Sequence, residues 1–346
     1  RGYPRARLGT SPRADRRSAP PALAPPAPAR ALAPAPALAG RLDDGPHRGL
    51  VAAPLALEQA QLIAQARRPI LYLGGGVVHA AAAPLARALA ETAGLPTVST
   101  LMALGALPET HALHLGMLGM HGARCTNLAL AECDLLIAVG ARFDDRATGK
   151  VAEFCPNAAI VHIDIDASEH NKNKRATLPI TSDIKFALGR LNELAAAAKF
   201  APPDTQAWHA QVATWKKDHP FSYEESKHIV PQEAVKALYE LTKGDAIITT
   251  GVGQHQMWAA QYFDFRNPRL WLTSGSMGTM GFGLPAAIGA QFAQKNRLVI
   301  DIDGDASIRM NMGELETATT YNLPVKVCVL NNIGDGMVRQ WQKLFF

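Results

Sequence analysis

The sequence predicts an α/β protein: two parallel-sheet, three-layer domains preceded by a disordered N-terminal tail. Three observations predict it. Short apolar runs alternate with helix-period segments from about residue 57 onward, the pattern of parallel strands joined by crossover helices. A stretch without strand patterning, residues 200–230, divides that alternation in two. The first fifty residues are low in complexity and lack the periodicity of either element. The expected organisation is a tail over 1–50, a central domain over 51–199, a connection over 200–230 and a second domain over 231–346.

The tail carries ten of the chain's 24 prolines and runs through "RRSAPPALAPPAPARALAPAPALAG". It cannot bury enough apolar surface to offset the entropy of ordering it, so disorder is expected. It is Arg-rich and acid-poor, as a transit peptide is, but those are amphipathic and start at Met, whereas this chain starts at Arg1. A poorly called stretch at the edge of a fragment is the preferred reading over a functional tail. Nine Arg against three Asp here outweigh the whole net charge of +5. The remainder is close to neutral, which argues against a nucleic-acid-binding face. No apolar run reaches the length of a membrane span. Cys125, Cys133, Cys155 and Cys328 form no CxxC pair, which fits reduced thiols in a cytoplasmic protein.

In the central domain, "LEQAQLIAQARRP" has helical spacing and "ILYLGGG" reads as a buried strand ending in glycines. "APLARALAETAGLP" is a helix and "TVSTLM" a strand. "CTNLALAECD" is helical, "LLIAVGARFDD" and "AIVHIDID" are strands, and "DIKFALGRLNELAAAAK" closes the unit with a long helix. In the second domain Pro231 suits the first turn of "PQEAVKALYELTKG". Strands follow at "AIITTG", "LWLTSG", "LVIDID" and "VKVCVLNN", and no closing helix or strand is expected before Phe346. Both ends look cut.

The chemistry-bearing signal is "DIDGDASIRMNMGELETATTYNLPVKVCVLNN". Asp305 and Asn332 each sit just past a strand, with a helix expected to start near Ser307 between them. Ligands of parallel sheets bind at such carboxyl ends. One carboxylate and one amide oxygen brought together suit Mg²⁺, which takes oxygen ligands and shares phosphates with its substrate or cofactor. The helix N-terminus would offer N–H groups to the same phosphates. A lone Gly-Asp or Asn-Asn would read as ordinary turn chemistry; the pair at this spacing favours the ion.

These residues resemble the diphosphate motif of the thiamine-diphosphate enzymes, GDG followed by about 25 residues and NN; Ala306 stands here in place of the last glycine. Within that superfamily the chain resembles the acetohydroxyacid synthase (acetolactate synthase) catalytic subunits over about residues 57–346. The strings are "STLMALG", "LGMHG", "ARFDDRATGK", "VHIDIDASE", "TTGVGQHQMWAAQ", "GTMGFGLPAAIGA" and "GMVRQWQ". Each is weak alone; seven in order are specific.

The resemblance implies thiamine diphosphate, Mg²⁺ and FAD as cofactors. Asp305, Asn332 and the carbonyl of Gly334 would hold the metal. Val252, Gly253, Gln254, His255, Gly278, Gly304, Ala306 and Ser307 would surround the thiamine diphosphate. Met280 would bend its two rings toward each other, so that the aminopyrimidine can take the thiazolium proton. Arg146, beside Asp145, would grip a substrate carboxylate, and Trp341 would favour 2-oxobutyrate over pyruvate as acceptor. The FAD residues would be Gly75, Thr100, Leu101, Gly119, Met120, His121, Gly140, Arg142, Asp164, Ile165, Asp183 and Ile184, in a domain where the flavin has no redox role. The residues alone leave blander readings open: Arg146 as a surface ion pair, Trp341 as a helix aromatic, His121 as a core polar group. No GxGxxG is present, and the HxxH of His111 and His114 reads as chance.

The implied activity is decarboxylation of pyruvate and condensation with a second 2-oxo acid, in branched-chain amino-acid biosynthesis. The implied partners are a second copy, as dimer or tetramer, and a small regulatory subunit. The family activates its cofactor with a glutamate from an N-terminal pyrimidine-binding domain, yet residues 1–57 contain no Glu. The chain alone is therefore expected to be inactive. The alternatives are another FAD-containing thiamine-diphosphate enzyme, of pyruvate oxidase or glyoxylate carboligase type, and a non-catalytic nucleotide-binding module.

Overall fold

Among the described residues ten strands form two parallel sheets, eight of them the apolar runs of the sequence. The computed structural model describes residues 53–197 and 204–346; the expected disorder of residues 1–50 lies outside the described residues. The first sheet holds β1 (Pro69–Leu73), β2 (Thr97–Ser99), β3 (His114–Met117), β4 (Leu135–Val139), β5 (Ala159–Asp164) and β6 (Leu178–Thr181) in the order β3-β2-β1-β4-β5-β6. Every pairing is parallel.

Side-chain alternation builds its three layers. Leu71, Leu73, Ile137, Val139, Val161 and Ile163 face one way, onto the helices Ala53–Gln65, Ala83–Ala93 and Ile184–Ala196. Ile70, Tyr72, Leu136, Ala138 and Ile160 face the other way, onto helix Arg124–Glu132 and the aromatic cluster of Phe143 and Phe154. Burial on both faces is why these strands read as continuous apolar runs.

Two strands of this sheet were not expected. β3, "HLGM", is four residues long, contains a glycine at φ +110 and pairs with β2 through a register shift. β6, "LPIT", carries Pro179 at the sheet edge, where a missing N–H is tolerated. Its Leu and Ile point inward and its Pro and Thr outward.

The expected connection over 200–230 contains a helix, Gln206–Asp218. Trp208 and Val212 are buried against the first sheet, and the Trp208 indole N–H donates to the Pro69 carbonyl at 3.1 Å. Its composition hid it, because Trp208, Val212 and the half-buried Trp215, spaced four and then three positions apart among polar neighbours, make a thin stripe. A closing helix, Gly336–Phe345, also stands where none was expected.

The second sheet comprises β7 (Ile247–Thr250), β8 (Trp271–Thr273), β9 (Val299–Gly304) and β10 (Lys326–Leu330), ordered β10-β9-β7-β8 and parallel throughout. Helices Pro231–Thr242, Gln254–Tyr262 and Gly283–Ala293 accompany it. Its core joins Val235, Ile248, Phe263, Phe265, Trp271 and Ile302 with Leu104 and Met117 of the first region. The described residues from 53 onward belong to one compact unit. The α/β, parallel-sheet expectation holds for both regions.

Candidate functional site

β9 and β10 run side by side with Gly304 paired to Leu330, so the residues that follow them leave the sheet together. A pocket of about 410 Å³, counted with its open mouth, lies there. Val252, Gly253, Gln254, His255, Met280, Gly304, Asp305, Ala306, Ser307, Asn332 and Gly334 line it, together with Trp258, Leu330 and Asp335–Val338. Of the expected residues of this site only Gly278 is not in the lining; it faces Val252 at the margin, where an added Cβ would stand 3.7 Å from Val252 Cγ1.

The helix expected to start near Ser307 is present but is a single turn. The turn after β9 is helical from Asp305, capped at Gly304, and runs only to Ile308. The longer helix aimed at the pocket is Gln254–Tyr262, with Gly253 as its N-cap. A helix terminus leaves its first N–H groups free for an anion, so this nine-residue helix supplies the stronger field.

Two of the three metal candidates touch, and the third, Asn332, turns to Gln254 on the same pocket wall. Asp305 Oδ2 accepts from Gly334 N–H at 3.1 Å, and Asn332 Nδ2 donates to Gln254 Oε1 at 3.3 Å. Gln254 Nε2 donates onward to Gln340 Oε1. A carboxylate, an amide oxygen and a backbone carbonyl so placed fit a hard divalent cation that also holds phosphate oxygens. Ala306, where the motif has glycine, lines the pocket and leaves it open.

The sequence reading missed two carboxylates beneath this pocket. Asp301 and Asp303 are fully buried on β9. Thr249 Oγ1 donates to Asp301 Oδ1 at 3.0 Å, and Gly304 N–H donates to Asp303 Oδ1 at 2.8 Å. Burial, and then the charge of Asp303, push the Asp301 carboxyl up to about 7. The alternation in "VIDIDG" was the available signal, since it puts both acids on one face of the strand.

Arg146 and Trp341 meet: the guanidinium carbon lies 4.8 Å from the indole centroid, within cation–π range. Asp145 Oδ2 is 3.7 Å from Arg146 Nη1. The three candidate substrate residues thus form one group, although 195 positions separate Arg146 from Trp341.

The flavin candidates follow the carboxyl ends of all six strands of the first sheet. The order 3-2-1-4-5-6 places a crevice between β1 and β4, where dinucleotides bind in folds of this connectivity. There Gly74 and Gly76 approach Gly140 so closely that a Cβ on Gly74 would stand 2.0 Å from the Gly140 carbonyl oxygen. Ile184 packs against the same glycines, and Asp183 caps the helix that begins at Ile184 by accepting from Phe186 N–H. Thr100 Oγ1 is buried without a hydrogen-bond partner, beside Leu101. Met120 N–H donates to the Arg146 carbonyl, and Gly119 backs onto that carbonyl. Burial, with the Arg146 cation, holds His121 below the ordinary imidazole range. Arg142 Nη2 donates to Ser276 Oγ, and Asp164 Oδ1 accepts from Asp166 N–H. Ile165 is 70% exposed, the outlier of the set. A glycine-floored crevice with an orphan hydroxyl and a buried carboxylate fits a dinucleotide.

His111 and His114 turn to different partners, Glu91 and Ser99. Among the described residues no cluster of three His, Cys, Asp or Glu could hold a metal, and no helix is long and apolar enough to cross a membrane.

Two family profiles match the chain: thiamine pyrophosphate enzyme, central domain, over residues 57–191, and thiamine pyrophosphate enzyme, C-terminal TPP binding domain, over residues 251–346. The chain belongs to the thiamine pyrophosphate enzyme family. Its sequence is 51% identical over 287 residues to the acetolactate synthase large subunit of Parasynechococcus marenigrum, covering 82% of this chain and 46% of that protein. It is 49% identical over 295 residues to the chloroplastic acetolactate synthase 1 of Nicotiana tabacum, covering 84% and 44%. It is 47% identical over 293 residues to the acetolactate synthase large subunit of Corynebacterium glutamicum, covering 84% and 47%. The chain thus spans about half the length of these curated relatives. The likeness to acetolactate synthases drawn from seven short strings holds, and the two profiles fall on the two sheets of this family member.

Proposed function

We propose that this chain is the flavin- and thiamine-diphosphate-bearing part of an acetolactate synthase large subunit. The protein carrying it would decarboxylate pyruvate and join the remaining two carbons to a second 2-oxo acid, pyruvate or 2-oxobutyrate, in branched-chain amino-acid biosynthesis. The observation that carries the proposal is the lip where Asp305, Asn332 and Gly334 converge beside the free start of helix Gln254–Tyr262.

Asp305, Asn332 and the Gly334 carbonyl would hold Mg²⁺, and the N–H groups at Gln254 and His255 would receive the diphosphate. Met280 would support the cofactor from the pocket wall. When bound, thiamine diphosphate supplies an electron sink for decarboxylation. Arg146 would hold the substrate carboxylate, Asp145 would orient that guanidinium, and the Trp341 indole would offer the acceptor's side chain an apolar shelf. FAD would lie across the β1/β4 crevice with no redox part to play. The protein carrying this chain would assemble as a dimer or tetramer with a small regulatory subunit, a reading that the words "large subunit" in the names of two of these relatives support, and the four free cysteines support a reducing compartment such as the cytoplasm.

The test is product analysis of a full-length protein that contains this sequence. Pyruvate with Mg²⁺, thiamine diphosphate and FAD should yield acetolactate, and added 2-oxobutyrate should compete as acceptor. Acetyl phosphate from pyruvate, or condensation of glyoxylate instead, would replace this reading with an oxidase or a glyoxylate carboligase, neither of which the relatives favour.

A further inference from the structure

The wall of the diphosphate pocket is built from two backbone segments of different origin. One is the start of helix Gln254–Tyr262; the other is the turn after β9. They leave the ends of the paired strands β7 and β9, and Val252 N–H donates to Ser307 Oγ across them at 3.3 Å. Past the strand ends, the ring of His255, which is 5% exposed, stands between Gly253 and Gly304.

That ring is clamped between two glycines. A Cβ on Gly304 would stand 2.6 Å from His255 Nδ1, and a Cβ on Gly253 would stand 2.8 Å from His255 Cε1. Neither position admits a side chain while the ring is there, so the imidazole acts as a gauge block between the two segments. Its far nitrogen, Nε2, faces Asp303 Oδ1 at 3.3 Å. The same oxygen accepts Gly304 N–H at 2.8 Å, so one carboxylate reaches both sides of the gap. The Nε2···Oδ1 approach lies off the line of a formed hydrogen bond, and His255 Nε2 and Asp303 Oδ2 are left buried without hydrogen-bond partners. Leaving such atoms unpaired is costly, and a small tilt of the ring would close the bond.

We propose that Asp303 and His255 are a positioning pair that sets the width of the diphosphate cradle, holding the Gly253–His255 segment and the Gly304–Asp305 turn at a fixed separation. The inference rests on the reading of this pocket as the diphosphate site. Asp303 is not among the residues that line the pocket; it acts through the ring. By accepting from Nε2 it fixes the imidazole tautomer and the angle at which the ring props the two segments. A ligand with two phosphates must reach both segments at once, so it senses the gap. A ligand with one phosphate senses it far less.

The experiment uses the whole 346-residue chain. Calorimetric titration with Mg²⁺–thiamine diphosphate and Mg²⁺–thiamine monophosphate is run on the parent and on Asp303→Asn, His255→Gln and His255→Phe. Long-range ¹H–¹⁵N spectra report the His255 tautomer, and thermal unfolding reports the fold. The parent should show His255 held with its proton on Nε2. In Asp303→Asn the diphosphate affinity should fall ~10–100-fold, the range typical when an outer partner that orients a binding group is removed. The monophosphate affinity should change much less and the unfolding midpoint should not drop. His255→Gln, whose amide can reach toward Asp303, should retain more diphosphate affinity than His255→Phe, and Asp303→Asn combined with His255→Phe should cost little beyond either alone. Parent-like diphosphate affinity in Asp303→Asn, or equal losses for both ligands, would overturn the pair while leaving the site standing. A parent chain that binds neither thiamine phosphate would remove the site itself and the pair with it.

Discussion

Asp301 shows how one buried acid couples the site to pH. Its carboxyl stands at about 7 in the folded chain against an ordinary 3.8. Between those values the folded state keeps a proton that the unfolded chain has released, so this group's contribution to stability falls as pH rises from about 4 to 7. Asp301→Asn keeps an acceptor for Thr249 and removes the charge. Urea unfolding should find this variant more stable than the parent at pH 8, by up to roughly 4 kcal/mol at ~1.4 kcal/mol per pKa unit, with the gap closing by pH 4. At the pocket lip, Asp305→Ala should reduce Mg²⁺-dependent thiamine diphosphate affinity by more than ~100-fold, beyond what losing an outer partner costs. Flavin affinity should be unchanged, as measured by fluorescence titration, because the flavin candidates lie on the other sheet. The Asp305 and Asn332 positions were legible in the sequence because strand-end chemistry is local. Asp303 was not singled out, since its work depends on a histidine 48 positions away that only the folded chain brings near.

Single elements divide between the legible and the hidden along a physical line. Strands covered on both faces, such as Pro69–Leu73 and Leu135–Val139, are wholly buried and announce themselves as apolar runs. Short or one-sided elements do not: His114–Met117 is bent by a glycine, and Leu178–Thr181 carries a proline that only an edge strand accepts. Helix Gln206–Asp218 was the largest element missed, because its anchoring depends on Trp208, Val212 and the edge of Trp215 rather than on a broad apolar stripe. Trp208 is 3% exposed and bonded to the Pro69 carbonyl. Trp208→Ala should therefore cost ~3–5 kcal/mol, read as a lower thermal midpoint. Trp208→Phe should recover most of the packing but still leave the Pro69 carbonyl unpaired.

Across the whole molecule, the two sheets bear separate candidate ligands yet share contacts. Arg142 donates to Ser276, and the side chain of Met102 lies against Gly275. Gly105, at φ +82, sits where a Cβ would be 2.3 Å from the Asn267 carbonyl oxygen. Gly105→Val should force these regions apart, lowering the thermal midpoint and weakening both FAD and thiamine diphosphate binding. In the parent, saturating either ligand at about 100 times its Kd should stabilise the fold by ~2.7 kcal/mol, seen as an upward shift of the midpoint for each ligand separately. The stacking of Arg146 on Trp341 joins the same two regions. With the arginine as the clasp for the substrate's acid group and the indole as the judge of its alkyl length, the two share one surface. An engineer who trims the indole to widen the range of accepted ketoacids also loosens the clasp, so breadth of choice and tightness of grip would have to be tuned together.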